Sequence, residues 1–232
     1  MTTGITSNYA NNYLNLYNQQ YNRQMQQNQG YAPIQIYAPQ QQTTTSGVDY
    51  SVIGLVGTAP IQDVGDGYKT VNEPTLILNE IDAVKYFGSK KDGYTIPQAL
   101  EAIFDQGAGI VIVINVFDPA KHEKVADVTK ADIIGGVNAT TGKRTGLKAF
   151  EDSYSLFGYF PKMIIAPVYC EDSAVVTEIQ TVCNKIRAIG IVDAPVGTTV
   201  QEAIIGRGAG GTINFNSSSD RVILCYPHLK VY

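Results

Sequence analysis

The sequence predicts an α/β fold in which a mixed, largely parallel sheet is covered by helices, with an extended low-complexity arm at the amino terminus. From residue 51 onward, short apolar strand patterns alternate with helical patterns, as in βαβ units. One of these strands, GIVIVINVF at residues 109–117, is continuously apolar and β-branched, which is typical of a strand covered on both faces. Residues 1–42, by contrast, are rich in Gln, Asn and Tyr and carry one charged side chain, Arg23. These observations separate a folded body from an arm.

We therefore divide the chain into a Gln/Asn/Tyr-rich extension at residues 1–30, a linking arm at residues 31–50 and an α/β body at residues 51–232. The extension has too few apolar residues to offset the entropy of ordering, so disorder is one interpretation. Its aromatic residues nevertheless recur at every fourth position, which would place them along one stripe of a helix. This stripe consists of Tyr9, Tyr13, Tyr17 and Tyr21, followed by Met25. Chance recurrence and a helix that folds on contact with another subunit both stay open.

The linking arm contains one short strand pattern, at residues 34–37, with Pro33 and Pro39 on either side. Proline at both ends suits an edge strand or a strand that pairs outside its own sheet. An extended segment with unpaired backbone groups can add to the sheet of a neighbouring molecule. The candidate inter-subunit contacts of this arm are Ile34, Ile36 and Tyr37.

The first half of the body predicts two strands, in SVIGLVG and TLIL, and then two helices that lead to the apolar strand. The first helix stops at Gly88. The second, TIPQALEAIFDQG, has Thr95 and Gln98 at the spacing of a capping box. Pro97 lies in its first turn, where the missing amide needs no partner, and Gly107 ends it.

The second half of the body continues the alternation. TGLKAFEDSYSLFG predicts a helix, and KMIIAPV predicts the next strand. The following helix has apolar residues at helical spacing, with Asp172 or Ser173 as its cap and Gly190 as its stop. AIGIVDAP predicts another buried strand. A capping box at Thr199 and Glu202 precedes a helix, and RVILCYP predicts the last strand.

The composition argues against several classes of protein. The formal net charge is −4 and the sequence pI is about 5.2, whereas nucleic-acid-binding domains carry a basic excess. No run of about 18 apolar residues is present, so we expect no membrane insertion. The scattered cysteines fit small core residues in a reducing compartment better than a disulfide framework or a metal site. These cysteines are Cys170, Cys183 and Cys225.

Two glycine-containing segments are candidate phosphate loops. In GLVGTAP, Gly54 and Gly57 are three residues apart, but no helix pattern follows, so we expect no helix amino terminus to face this turn. In GGVNATTGKRTG, the spacing from Gly136 to Lys143 is similar to that of a P-loop. It has one residue too many between the glycines, and Arg144 stands where a Mg²⁺-binding hydroxyl belongs. A nucleotide-binding α/β enzyme using the Gly136–Lys143 loop stays as an alternative function.

The remaining candidates for catalysis or metal binding are isolated. His122 and His228 are far apart, and neither has a Cys, His or carboxylate at metal-ligand spacing. Asp193 ends a strand, where α/β enzymes often place catalytic carboxylates, but we favour a carboxylate that caps the turn before Pro195. We therefore predict no catalytic, cofactor-binding or metal-binding residues. A folded body with an uncharged, aromatic arm indicates assembly instead, with a monomeric binding module and a disordered arm as a further alternative.

The order of the segments resembles that of the contractile tail sheath proteins of bacteriophages, in particular those of the smaller, P2-like type. The best match is IIGGVNATTGKRTGLKAFEDSYSLFGYFPKMIIAPVYC, which has the family's I-G-G…T-G-x-x-T-G block, a Lys-Ala step, a proline and a strand ending in Ala-Pro. AIGIVDAP and RVILCYPHLKVY resemble the family's next two strands. The resemblance runs from about residue 32 to the end of the chain.

This resemblance implies a structural role in the virion without a cofactor. Sheath subunits form a helical or stacked-ring homo-oligomer around the tail tube protein, in contact with baseplate and tail terminator proteins, after assembly in the host cytoplasm. They contract toward the baseplate and drive the tube through the host envelope, while terminal arms add strands to neighbouring sheets. The matching arm here is residues 34–48. The family's C-terminal, tube-facing portion would begin near Tyr232, so we expect a fragment, a natural short sheath or half of a split sheath.

Overall fold

A six-stranded sheet forms the centre of the body. The computed structural model describes residues 52–107, 109–208, 210–211, 213–215 and 219–228. In chain order the strands are β1 (Val52–Gly57), β2 (Thr75–Ile77), β3 (Ile110–Asn115), β4 (Met163–Ile165), β5 (Ile189–Asp193) and β6 (Val222–Cys225). The sheet order is β2-β3-β1-β4-β5-β6, and every pair is parallel except β2 with β3. The predicted mixed, largely parallel sheet is confirmed.

Helices connect these strands. The described α-helices are α1 (Glu80–Phe87), α2 (Ile96–Asp105), α3 (Lys130–Ile134), α4 (Ser153–Phe157), α5 (Ser173–Ile186) and α6 (Val200–Gly206). Short 3₁₀ turns occur at Ile61–Asp63, Val125–Asp127 and Tyr169–Glu171, and a longer 3₁₀ segment at Gly146–Asp152. The predicted caps of the last two α-helices are confirmed. Asp172 accepts a hydrogen bond from the amide of Ala174, and Thr199 and Glu202 form a capping box.

The capping box predicted at Thr95 and Gln98 is wrong. Thr95 Oγ1 accepts a hydrogen bond from the amide of Thr58 at 3.1 Å, and Gln98 Nε2 donates to the carbonyl of Lys91 at 3.0 Å. Both side chains therefore connect α2 to other segments, and neither satisfies the amides of its own first turn.

Two predictions in the second half of the body also need correction. The helix predicted in TGLKAFEDSYSLFG is mostly the 3₁₀ segment, followed by the short α4. Gly190 does not stop α5, which ends at Ile186 with Arg187 in the left-handed region at φ 57°. Gly190 lies inside β5, where a Cβ would be 2.4 Å from Ile179 Cγ2 of α5. This glycine is required because the helix packs directly on the strand.

The first face of the sheet is covered by the 3₁₀ segment and by α5. Gly54 pairs with Ile164, and Ile164 pairs with Gly190, so all three residues point to the same face. A Cβ on Gly54 would lie 3.0 Å from the ring of Phe150 in the 3₁₀ segment, and Gly190 contacts α5. We define this side as the first face.

The second face is covered at β2, β3 and β1. A Cβ on Gly57 would lie 2.2 Å from Thr95 Oγ1 at the start of α2. Beneath α1 and α2, Leu55, Val113 and Ile77 are completely buried. GIVIVINVF is thus a strand covered on both faces, as predicted, with β2 and β1 on either side.

A buried asparagine ends β3. Asn115 is fully buried, and its Oδ1 accepts hydrogen bonds from the amides of Ala59 at 3.0 Å and Phe117 at 3.1 Å. Its Nδ2 donates to the carbonyls of Thr70 at 3.0 Å and Phe117 at 2.9 Å. All four hydrogen-bonding positions of the amide are used, so Asn115 joins the loop after β1 to the loop before β2.

Candidate functional site

The segment most similar to a P-loop is a closed turn. A P-loop follows a strand, but the segment ADII before this turn lies in helix α3. Val137 and Arg144 are bridged across the turn, and Asn138 Oδ1 accepts hydrogen bonds from two backbone amides inside it. Lys143 Nζ is 2.7 Å from Glu73 Oε1. The lysine that would contact a phosphate is therefore paired with a carboxylate of another segment.

The glycines of this block have a structural explanation. Gly135 and Gly146 have positive φ values of 71° and 56°, which side chains rarely adopt. A Cβ on Gly135 would lie 1.8 Å from the carbonyl oxygen of Thr145, and a Cβ on Gly146 would lie 2.4 Å from that of Ile133. Two backbone segments cross here in direct contact, which explains the glycines without any ligand.

The hydrogen-bond donors beside the turn after β1 are also occupied. Contrary to expectation, a helix amino terminus does lie beside it: that of α2, which follows much later in the sequence. The first amides of this helix, Thr95 N and Ile96 N, donate to the carbonyl of Thr58 at 3.1 Å and 2.9 Å. An anion at this turn would compete with a backbone carbonyl for the same donors.

His122 lies in a buried cluster that the sequence spacing did not indicate. Its Nδ1 accepts a hydrogen bond from the amide of Asp118 at 3.1 Å, so the neutral ring carries its proton on Nε2. Nε2 lies 3.6 Å from Asp132 Oδ2. Asp132 also forms a capping box with Thr129 at the start of α3 and an ion pair with Lys121. The cluster anchors a helix end.

We expect Asp132→Ala to lower the free energy of unfolding by about 1–2 kcal/mol at pH 7, because the variant loses a cap and a partly buried ion pair. Burial alone would raise the pKa of Asp132, but hydrogen bonds from Lys121 and Thr129 outweigh it and lower the pKa to about 2. The pKa of Asp132 is lower in the folded chain than in the unfolded chain, where it is near 4, so the ionised carboxylate stabilises the fold above pH 4. This stabilisation is lost as the pH falls toward 2. The destabilisation should therefore shrink between pH 4 and pH 2.

Urea unfolding of both proteins, followed by circular dichroism at several pH values, measures this difference. Glu123→Ala is the control, because this exposed carboxylate lies in the same loop as His122 but takes no part in the cluster. If Asp132→Ala lowered the free energy of unfolding by the same amount at every pH, the ionised carboxylate of Asp132 would not be the source of the stabilisation.

The prediction that the cysteines are small core residues is confirmed for Cys170 and Cys183, whereas Cys225 is only partly buried. Cys170 and Cys183 are buried, and burial raises the pKa of each thiol to about 12. Cys170 Sγ donates to Asp193 Oδ2 at 3.9 Å, so the carboxylate at the end of β5 caps a buried thiol. The pKa of Cys225 is also raised, by partial burial and then by the charge of Asp193.

The described part of the chain contains no group of three His, Cys, Asp or Glu side chains that could hold a metal ion. Within the same residues, no helix is both long and apolar enough to cross a membrane.

The main unexplained feature is an apolar area on the second face of the sheet. Ile165 pairs with Ile191, and Ile191 pairs with Ile223, so these side chains form one row across β4, β5 and β6. Met163 and Ile189 form a parallel row. We call these five side chains the open face: Met163, Ile165, Ile189, Ile191 and Ile223.

The described helices leave the open face partly accessible to solvent. Ile189 is 40% exposed and Ile223 is 52% exposed, whereas Ile164 and Val192 on the first face are completely buried. Helices α1 and α2 bury the second face only as far as Leu55 of β1. The other three side chains of the open face are half-buried. An apolar area of this kind across adjoining strands indicates a surface that contacts another molecule or segment.

The open face corrects the interpretation of AIGIVDAP as a strand buried on both sides. Within the described chain, β5 is covered on one face only. A continuous apolar run predicts burial on both faces but does not tell which molecule provides the cover. Sequence reasoning missed the open face for this reason, and the one available signal was that three consecutive strands lacked alternating polar residues.

Two further features belong to the same end of the sheet. Strand β6 is the sheet edge, with β5 as its only neighbour among the described strands. On α6, Val200 and Ile204 are one helical turn apart and both exposed, Ile204 by 61%. The predicted arm and stripe residues lie outside the described residues: Tyr9, Tyr13, Tyr17, Tyr21, Ile34, Ile36 and Tyr37.

Comparisons with known proteins agree on one family. The family model of the phage tail sheath protein central domain matches residues 142–232. The tail sheath protein of Burkholderia phage BcepMu is 39% identical over 260 aligned positions, covering 80% of this chain and 53% of the relative. The tail sheath protein of Escherichia phage P2 is 30% identical, covering 68% of this chain and 38% of the relative. A putative prophage major tail sheath protein of Pseudomonas aeruginosa strain UCBPP-PA14 is 30% identical, with 69% and 38% covered.

Among the described strands, the apolar open face lies beside the outer edge of β6, which has no strand partner there. The matches with known proteins confirm the resemblance to the phage tail sheath proteins that the order of the segments indicated. The chain spans about half the length of the BcepMu relative and less than half of the other two.

Proposed function

We propose that this chain is a structural subunit of a contractile phage tail sheath. It polymerises around the tail tube as a helical or stacked-ring homo-oligomer and contracts to drive the tube through the host envelope. Its partners are further copies of itself, the tail tube protein, and baseplate and tail terminator proteins. The observation that carries the proposal is the open face, because a body of this family exposes there an apolar surface of the kind that subunit contacts bury.

Subunits are linked by strand addition. The linking arm at residues 34–37 of one copy pairs with the outer edge of β6 of the next, where the described sheet has backbone groups without a strand partner. Main-chain hydrogen bonds hold the added strand, and Ile34, Ile36 and Tyr37 supply its side-chain contacts. A Thr/Ser/Gly-rich segment at residues 43–47, a composition typical of linkers, separates this strand from β1, so bodies can move relative to each other without losing the link.

Electron microscopy of the full chain, alone and with purified tail tube, tests the assembly. We expect rings or tubes whose abundance rises with protein concentration. A chain that stays monomeric at every salt and protein concentration, with and without tube, would refute the proposed function.

The link itself is tested with Ile36→Pro. Proline removes one backbone donor from the added strand, so assembly should weaken by at least about tenfold in concentration, while the thermal unfolding of the body stays unchanged. Gln41→Pro, which lies outside the strand pattern, is the matched control and should assemble normally. Equal assembly of the two variants would contradict strand addition.

A further inference from the structure

We propose that the tyrosine stripe of one copy packs as a helix on the open face of a neighbouring copy. The stripe comprises Tyr9, Tyr13, Tyr17 and Tyr21, and the open face comprises the five side chains of β4, β5 and β6 defined above. This inference rests on the proposed function, since it places the neighbour in a sheath lattice.

The two surfaces match in chemistry. The open face consists of aliphatic side chains without a charge, and the charged residues near it lie at the strand ends, as Lys162, Arg221 and Asp193 do. The extension is equally uncharged, with Arg23 as its single exception. Tyrosine rings bury a large apolar area at low entropic cost and keep the hydroxyl at the wet margin of an interface.

The two surfaces also match in size. A helix from Tyr9 to Tyr21 is about 18 Å long, because each residue advances about 1.5 Å. Strand β5 (Ile189–Asp193) is about 16 Å long at about 3.3 Å per residue, and β4 and β6 lie about 5 Å to either side. One helix of this length covers β5 and reaches both rows of the open face.

Chain connectivity brings the stripe to this face. When residues 34–37 pair with β6 of a neighbour, they lie beside Ile223, which belongs to the open face. A chain of the length between Tyr21 and Ile34 can span about 20 Å, which is enough to cross from β6 to β4. The copy that receives the strand is therefore the copy within reach of the stripe.

The open face requires such a cover. Strands β4 to β6 have the continuous apolar pattern of strands buried on both faces, yet the described helices bury only the first face. A helix on the second face would complete the layer that α1 and α2 begin over β1, β2 and β3.

Photo-crosslinking of the assembled full chain tests the contact. p-Benzoylphenylalanine replaces Tyr17, isotopically heavy and light copies are mixed equally before assembly, and mass spectrometry identifies the products. We expect heavy-to-light crosslinks to Ile189, Ile191 or Ile223. The control places the same photoreactive residue at Gln19, about 200° around the predicted helix, where the yield should be about tenfold lower.

Cys225 provides an independent readout, because it lies two residues beyond Ile223, in the next row of the same face, and is partly accessible. Its alkylation should be about tenfold slower in assemblies of the full chain than in assemblies of Tyr13→Ala/Tyr17→Ala, since a packed interface excludes the reagent. Labelling in denaturant, where all three cysteines react, normalises the rates.

The outcomes separate the two proposals. Assemblies that form but give crosslinks only within one chain, or only to other surfaces, overturn the stripe contact and leave the sheath function standing. Equal yields at positions 17 and 19, or equal alkylation rates, also overturn the stripe contact. A chain that never assembles overturns both proposals.

Discussion

Gly135→Ala should lower the free energy of unfolding by at least about 3 kcal/mol, a large part of the stability of an ordinary domain. The new Cβ would lie 1.8 Å from the carbonyl oxygen of Thr145, and φ is 71° at this position. With ψ at −173°, Gly135 lies in a backbone region that is almost restricted to glycine, which costs alanine about 1–3 kcal/mol, and displacing a crossing backbone segment adds several more. The backbone cannot give way easily, because Gly146 in the facing segment is equally constrained by Ile133.

The adjacent glycine is a matched control. A Cβ on Gly136 would meet no atom within 4 Å, and this residue is not among those with positive φ. Gly136→Ala should therefore change stability by less than about 0.5 kcal/mol. Urea unfolding followed by circular dichroism suits both variants, because the chain has no tryptophan for fluorescence. Equal losses in the two variants would show that the two segments do not cross in contact.

Asn115→Asp should cost about 3–5 kcal/mol at pH 7, although the two side chains have nearly the same shape. The carboxylate would keep the two acceptor bonds from Ala59 and Phe117. It would also place an oxygen within about 3 Å of the carbonyls of Thr70 and Phe117, where the amide now donates. A buried carboxylate that faces carbonyls has a raised pKa. The loss of stability is therefore fully present above that pKa and shrinks as the pH falls toward about 4, because the carboxyl group is then protonated.

Asn72→Asp is the control for this substitution. Asn72 Oδ1 accepts a hydrogen bond from the amide of Gly146 at 2.8 Å, an interaction that a carboxylate can also make. We expect a change of less than about 1 kcal/mol and little dependence on pH between 4 and 7. If Asn115→Asp changed the free energy of unfolding as little as this control, the four hydrogen bonds assigned to the Asn115 side chain would be wrong.

The sequence was sufficient for the order and type of most elements, because each carries its own local signal. The apolar run of β3, the Asp172 cap and the Thr199–Glu202 capping box are confirmed where the pattern places them. Strand direction was less accessible. Strand β2 has three residues and runs antiparallel to β3, and so short a segment carries no information about direction.

Local patterns gave wrong predictions where a residue contacts a segment that is distant in sequence. Thr95 matches a helix cap in sequence but holds the amide of Thr58, and Gly190 matches a helix stop but makes room for Ile179. Asn115 and the His122–Asp132 pair depend on contacts between separate loops, which no spacing rule includes. The open face could not be predicted for the same reason, because the apolar pattern of a strand does not indicate which segment or molecule covers it.

The place of β1 in the sheet determines how the body carries tension from its arm. Strand β1 starts at Val52, directly after the arm, and is parallel to both neighbours, pairing with β3 along six residues and with β4 along three. A pull on Val52 along the axis of β1 would load these hydrogen bonds in shear, all at once. A pull perpendicular to an edge strand would instead open the bonds one after another. The arm is thus attached to an inner strand, where the sheet resists extraction by the sum of two ladders.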